Sequence, residues 1–312
     1  MYSTNHQENA HPIIIFTDEL ATLGGWHGEQ LTLAFENRGV KAIFTSLKDC
    51  VLDFSSDKPA VHIPQLKVNG LKAIPKAALV RGIAGGTLQQ VTMRLNILHI
   101  LKQLGVVVYN DGRAIERTVD KAMTSFLLHQ AGIATPHTWV CESREQAHTI
   151  IQAQVKNNQP LVIKPLFGSQ GQGVRLLNAH MALPVPMDDF VDGVFYLQTF
   201  VAATHDYRVF VVNNRAVAAM RRQGESWLHN VAQGAKCASI YDTDILAIAV
   251  QAAKALDIAY CGVDIIRDNA GKLYVLEVNS IPAWRGLQSV GDVNIAALLA
   301  DDLLAKLSLL NA

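Results

Sequence analysis

Cysteine is scarce and scattered. Cys50, Cys141, Cys237 and Cys261 form no CxxC, which argues against a zinc ribbon or disulfide frame and for a reduced, cytoplasmic setting. Net charge is absent. Twenty-seven Lys and Arg face 27 Asp and Glu, so no strong field draws in nucleic acid or a membrane surface. Long hydrophobic runs are missing too, and stretches such as HPIIIF at 11–16 are far too short to span a bilayer. The opening MYSTNHQENA is polar, lacks a hydrophobic signal region and reads as a disordered lead-in. No GxxxxGK[ST] occurs, which excludes a P-loop, and GxxGxG is not the dinucleotide fingerprint. There is no Ser-His or Cys-His signature and no internal repeat.

What is present is apolar material in an alternating order. Half of the 312 residues are hydrophobic, ample for a large core and two or three subdomains. Three stretches follow from the pattern. In residues 1–118 the runs PIIIFTD, VKAIFTS, AALVRGIAG and VVVYN alternate with the helical GGWHGEQLTLAFENRG and TLQQVTMRLNILHILKQLG. Strands alternating with helices imply a parallel sheet, whose ligands lie at the carboxyl ends of strands. Those ends carry Asp18, the GGWHG loop and Arg81. Residues 119–193 open with the helix VDKAMTSFLLHQAG and continue through HTWVCE, a helix with Ser143 as a plausible N-cap, PLVIKP and a glycine loop. Residues 194–312 are richer in strands, with a hairpin signal at Asn213-Asn214. The fold class is α/β, becoming α+β in the later part.

Three groups of residues carry chemistry. The loop Gly168-Ser169-Gln170-Gly171-Gln172-Gly173 permits close backbone approach to an anion, and Lys164 stands just before it. An ordinary flexible hairpin loop is an equal reading of that loop alone. Asp264 and Glu277 lie inside apolar runs, and Asn279 lies two residues after Glu277, on the same strand face. One such acid would ordinarily pair with an arginine. Two acids plus an amide suit a hard cation such as Mg²⁺ held alongside substrate phosphates. Arg208 and Arg222 complete a set able to hold a triphosphate without a P-loop.

The motifs DKAMTSFLLHQAGIATPHT, LVIKPLFGSQGQGV, LQTFV, HDYRVFVVNNRAVAAMRR, HNVAQGA, CGVDIIRD and LEVNSIP, in this order, resemble the ATP-grasp superfamily and its RimK-type carboxylate–amine ligases. The resemblance implies a parallel-sheet pre-grasp domain at 1–118, then a two-lobed ATP-grasp fold whose lobes span 119–193 and 194–312. It implies ATP and Mg²⁺ as cofactors, with Mn²⁺ able to replace the latter. Lys121 and Lys164 would contact phosphates beneath a flap that includes Gly168, Ser169, Gln170 and Gly171. Gln198, Thr199 and Phe200 would form the hinge that reads adenine. Asp206, His229 and Asn230 would face the nucleotide, Arg208 and Arg222 the transferred phosphate, and Asp264, Glu277 and Asn279 the metal. Thr199 and Leu228 stand where related ligases often carry Glu and Arg.

The motifs GGWHGEQL, LVRGIAGG, LQQVTMRLNILHILKQLGVVVYN and IPAWRGLQ resemble the pre-grasp domain of RimK-type proteins linked to tetrahydromethanopterin metabolism. This implies glutamate addition to a pterin, deazaflavin or furan coenzyme through an acyl phosphate, with release of ADP and phosphate. Trp26, His27, Arg81, Arg94 and Trp284 would be substrate contacts, although Arg94 lies in a helix and equally suits a solvated or core-paired role. The implied partners are a small carboxylate and an amino acid, with neither nucleic acid nor membrane, and a homo-oligomer is compatible. Glutamylation of a protein C-terminus, another amino acid as the amine, and a nucleotide-binding protein without turnover remain open alternatives.

Overall fold

The computed structural model describes residues 12–55, 57, 60–64, 66–68, 71–72, 74–168, 173–178, 193–224 and 236–310. The polar lead-in, the loop centre Ser169, Gln170, Gly171 and Gln172, and Leu228, His229 and Asn230 lie outside the described residues. The chain forms two compact units. One comprises Met1–Ile115, Ala283–Gln288 and Asp292–Ala312, the other Glu116–Pro282 and Ser289–Gly291.

The first unit starts with β1 (Ile13–Phe16), α1 (Gly25–Glu36) and β2 (Ala42–Thr45). Two small hairpins follow, β3 (Val51–Asp53) with β4 (Ala60–His62), and β5 (Lys67–Val68) with β6 (Leu71–Lys72). Then come β7 (Ala77–Val80), α2 (Leu88–Gln103), β8 (Val107–Tyr109) and α3 (Gly112–Val119), within which the division between the units falls. The main sheet is fully parallel in the order β2-β1-β7-β8. Every residue of β1 and β7 is buried, as central strands covered on both faces require. The start of α2 is fixed by a capping box between Thr87 and Gln90. Gly28 cannot carry a side chain, because a Cβ there would lie 1.8 Å from the Leu23 carbonyl oxygen.

The C-terminal helix, Ile295–Leu310, packs against α1, β7 and β8 of this unit rather than with the strands that precede it in sequence. Its buried residues Ile295, Leu299 and Leu303 supply the apolar stripe. Tyr109 donates its hydroxyl to buried Asp302 at 2.7 Å, and Arg38 grips Asp301 with two hydrogen bonds. A division in chain order assigns this helix to 194–312, but burial of its stripe places it with the parallel sheet.

The second unit opens with α4 (Lys121–Gln130), capped by Asp120, which accepts from the amides of Ala122 and Met123. β9 (Thr138–Cys141), α5 (Arg144–Lys156), β10 (Leu161–Lys164), β11 (Arg175–Leu177) and β12 (Phe195–Thr199) follow. Ser143 caps α5 as expected, accepting from Gln146. The four strands form an antiparallel sheet, β11-β10-β12-β9. Its α5 face holds a core of Ala147, Ile151, Leu161, Ile163, Leu177, Phe195 and Leu197. Strand alternation therefore turns Lys164, Tyr196 and Gln198 to the opposite face.

A five-stranded antiparallel sheet completes the unit. It contains β13 (Asp206–Val212), β14 (Arg215–Gln223), β15 (Lys236–Ser239), β16 (Tyr260–Arg267) and β17 (Leu273–Asn279), in the order β15-β14-β13-β16-β17, with α6 (Thr243–Ala255) packed against it. The hairpin at Asn213-Asn214 is present. Both residues have left-handed backbone, φ +47° and +58°, as a two-residue turn matched to strand twist demands. Among the described residues no helix is long and apolar enough to cross a membrane.

Candidate active site

Cross-strand register builds the charged face. Asp206 lies opposite Arg222, Arg208 opposite Asp264, Asp264 opposite Glu277, and Gly262 opposite Asn279. Paired residues share a face, so three carboxylates, two guanidiniums and one amide project together from four strands. Arg208 chelates Asp264 at 2.7 and 2.6 Å, and Arg222 chelates Asp206 at 2.7 and 2.8 Å. Arg222 also reaches Asp264 at 3.2 Å. Planar guanidinium forks suit this bidentate geometry.

The electrostatics divide the acids. Burial pushes the Asp264 carboxyl up, but Arg208 and Arg222 outweigh it and hold Asp264 below the ordinary carboxylate range. Glu277 moves the other way, raised first by burial and then by Asp264, against the opposing pull of Lys121, Lys164 and Arg208. Arg222, though desolvated, is held firmly charged by Asp264 and Asp206. Asp206, expected to face a nucleotide, is buried and takes both hydrogen bonds of the Arg222 fork.

The lysines occupy the same electrostatic field. Lys164 donates to Gln198 Oε1 at 2.6 Å. The Gln198 amide in turn donates to Thr138 Oγ1 and the Tyr196 hydroxyl, each at 3.1 Å, and Tyr196 shares a 2.7 Å hydrogen bond with Ser125. Lys121 donates to the carbonyls of Leu166 and Gly168 at 3.2 and 2.9 Å, which ties down the entrance to the glycine loop. Desolvation lowers both lysines, Lys164 to about 8, while the Glu277 charge opposes the shift in each. Their hydrogen-bond partners are neutral oxygens. Cations held this way suit an anionic ligand.

The Gln198 side chain is the group that sequence reasoning missed. Buried Gln198 was expected at the hinge for its backbone, yet its side chain positions Lys164. The two-residue spacing of Tyr196 and Gln198 in a strand was the available signal. At the hinge, the amide of Thr199 donates to the His137 carbonyl and that of Phe200 to the Pro160 carbonyl, at 2.9 and 2.8 Å. A cavity of about 910 Å³ runs past Trp139, Thr199, Phe200 and Tyr274. Trp139 pairs with Leu197, on the α5 face, so this cavity does not lie on the face that carries Lys164.

The donor set fits a hard cation. Glu277 and Asp264 present carboxylate oxygens side by side, and the Asn279 amide has a buried Nδ2 without a partner among the described residues. Turned over, that amide offers an oxygen instead. Among the described residues no group of three or more His, Cys, Asp or Glu could hold a metal, so two acids and an amide are the available set. Asp264 would share its oxygens with Arg208.

A family model for the RimK-like ATP-grasp domain matches residues 118–303. The chain belongs to the RimK-like ATP-grasp family. It is accordingly an ATP-grasp carboxylate–amine ligase, of the ADP-forming kind. Among curated proteins, the tetrahydromethanopterin:alpha-L-glutamate ligase of Methanocaldococcus jannaschii is 35% identical over 225 residues, covering 69% of this chain and 74% of that protein. A probable alpha-L-glutamate ligase of Hydrogenovibrio crunogenus is 31% identical, covering 86% of this chain and 88% of its own length. In fold, the chain is similar to the ATP-grasp ligase PsnB complexed with minimal precursor, Mg and ADP. The TM-score is 0.70, with 20% identity over 95% of this chain and 98% of that one. A RimK domain protein from Sphaerobacter thermophilus gives a TM-score of 0.68, with 20% identity over 94% and 99% of the two chains.

In the first unit of this RimK-like protein, Trp26, His27, Arg81 and Trp284 cluster. The His27 and Trp284 ring centroids are 4.5 Å apart, and Arg81 lies 4.6 Å from the Trp284 centroid. Trp284 is wholly buried, with the Arg81 guanidinium over its ring. Arg94 does not join them. It is buried, and its Nη1 donates to the carbonyls of Ala84 and Gly85, which staples a loop. Of the roles left open for this helical position, these carbonyls favour the core-paired one.

Proposed function

We propose that the enzyme joins the amino group of L-glutamate to a carboxyl group of tetrahydromethanopterin or a related small coenzyme, using ATP and Mg²⁺. The supporting observation is the pair of desolvated lysines, hydrogen-bonded to neutral oxygens and coupled to Glu277. Lys121 and Lys164 hold the nucleotide phosphates. Arg208 and Arg222 face the transferred phosphoryl group and offset the charge on its oxygens. Since the Thr199 and Phe200 amides are engaged, adenine meets the hinge of Gln198, Thr199 and Phe200 through backbone groups other than those two amides. Glu277, Asn279 and Asp264 hold the cation. Magnesium, or manganese with the same oxygen preference, supplies Lewis-acid neutralisation of phosphate charge when bound.

The chemistry runs in two displacements. A carboxylate oxygen of the acceptor attacks the γ-phosphorus and ADP leaves. The amine nitrogen attacks the acyl carbon of the resulting acyl phosphate, inorganic phosphate leaves, and the nitrogen gives up a proton. Exclusion of water protects the acyl phosphate.

Product mass spectrometry tests this reading. The enzyme, ATP, Mg²⁺ and L-glutamate are incubated with a panel of carboxylated coenzymes and with a peptide carrying a free C-terminus. One or more glutamyl residues should appear on a coenzyme. A glutamylated peptide alone would favour the second reading, to which a peptide-bound fold neighbour such as PsnB with its precursor lends support.

Lys164 gives a sharper test of the phosphate end. Lys164→Ala should weaken ATP binding by about tenfold or more in calorimetry, the scale of a charge-assisted contact. Phosphate binds the protonated amine, whose pKa is lowered to about 8. Affinity should therefore fall as pH rises through that value, by up to about tenfold per unit. Unchanged affinity in Lys164→Ala, or a flat profile in the wild type, removes the lysine from the nucleotide site.

A further inference from the structure

We infer that the first unit carries a separate binding site for the head group of an α-amino acid, with Arg81 taking the carboxylate and Asp18 and Glu19 the ammonium. Assigning this ligand to the amine substrate rests on the ligase reading; the site itself rests on geometry.

The site lies where a parallel sheet places ligands. Thr17 and Asp18 follow β1, Arg81 follows β7, and these strands are neighbours. Thr17, Asp18, Glu19, His27, Phe44 and Arg81 line a cavity of about 50 Å³ there, large enough for a head group and too small for a coenzyme. Arg81 is a charged side chain with unmet hydrogen bonds. Its Nε and Nη1 are buried and have no hydrogen-bond partner among the described residues. Buried guanidinium donors are costly to leave unanswered, and a carboxylate chelated by the fork would answer one of these two together with Nη2.

The surroundings hold Arg81 in place without neutralising it. Its guanidinium stacks on buried Trp284. His27 Nε2 accepts from the Trp284 amide at 3.2 Å, which leaves Nδ1 as the protonated ring nitrogen and a further donor. Burial, Arg81 and Arg285 lower His27 to about 4, so it stays neutral near pH 7 and adds no second positive charge.

The acids make the site selective. Asp18 is exposed, and its Oδ1 would lie only 1.9 Å from a Cβ at Gly82, the residue after Arg81. Asp18, Glu19 and Arg81 line one cavity, yet no ion pair joins either acid to Arg81 among the described residues. Opposite charges held in one small cavity, near but unpaired, match a ligand that carries both. A phosphate dianion would be repelled by the two carboxylates, and a plain carboxylate would leave them unanswered.

Calorimetry on the full chain without nucleotide tests the site, with L-glutamate, glutarate (the same diacid lacking the amine) and inorganic phosphate as probes. The wild type should bind L-glutamate at least about tenfold more tightly than glutarate or phosphate. Arg81→Ala and Asp18→Asn should each weaken L-glutamate by about tenfold or more while ADP affinity stays at the wild-type value. Arg81→Lys, which keeps charge but loses the fork, should fall between, and it serves where Arg81→Ala fails to fold. Equal binding of glutarate, preference for phosphate, no L-glutamate binding by the wild type, or wild-type affinity in the Arg81 variants overturns the inference. L-glutamate binding that obeys these rules in a protein forming no amide would instead overturn the ligase reading and leave the site standing.

Discussion

Glu277→Gln should abolish ADP formation while the protein melts at or above the wild-type temperature. The carboxyl of Glu277 is raised by burial and by the neighbouring Asp264 charge, so its anionic form is strained where it stands. An amide of the same shape relieves that strain and removes the one acid that is not committed to a guanidinium. Turnover should drop by at least about a hundredfold, the scale of losing an electrostatic stabiliser in a water-excluded site. A Glu277 that merely paired with an arginine in the core would behave in the opposite way. Thermal melting and ADP release measured on one preparation separate the two outcomes, and a destabilised but active variant defeats the metal reading.

Arg222→Ala should have the largest effect on stability. Arg222 is 5% exposed and serves two carboxylates, Asp206 through both oxygens and Asp264 at 3.2 Å. Its removal leaves Asp206 buried without its bidentate partner and deprives Asp264 of one of two. Breaking a buried pair from one side costs about 3–5 kcal/mol, which corresponds to a fall in Tm of roughly 10 °C for a chain of this size. Arg208→Ala should cost less, because Arg222 still reaches Asp264. The same network gives a pH sign. Asp264 is held below the ordinary carboxylate range, so its contribution is present above that range and is lost as pH falls through the lowered folded value. A Tm for Arg222→Ala within a degree or so of wild type shows the ladder is not holding the sheet.

The strands were legible because their apolar runs are short, bounded by turn residues and of the right period. The Asn213-Asn214 turn and the Ser143 cap were legible for the same reason, since each depends on side chains within a few residues. Asp264, Glu277 and Asn279 could be singled out by chemistry, as acids and an amide in apolar strands. What they touch could not. Asp264 proves to be chelated by Arg208, 56 residues away in the chain, so the arginine pairing and the oxygen cluster that looked like rival readings coexist.

The sequence by itself determined the local code, which comprises element types, caps, turns, the alternation that puts Glu277 and Asn279 on one strand face, and the motif order that marks the family. Only the tertiary structure decided partnerships. Cross-strand register set Arg222 against Asp206, and packing sent the C-terminal helix back to the first sheet. Folding also buried Trp284 beneath Arg81 and spent Arg94 on loop carbonyls. The physical reason is range. Propensity and periodicity act over a few residues, whereas burial, ion pairing and the pKa shifts they cause depend on which distant strands come to lie about 5 Å apart.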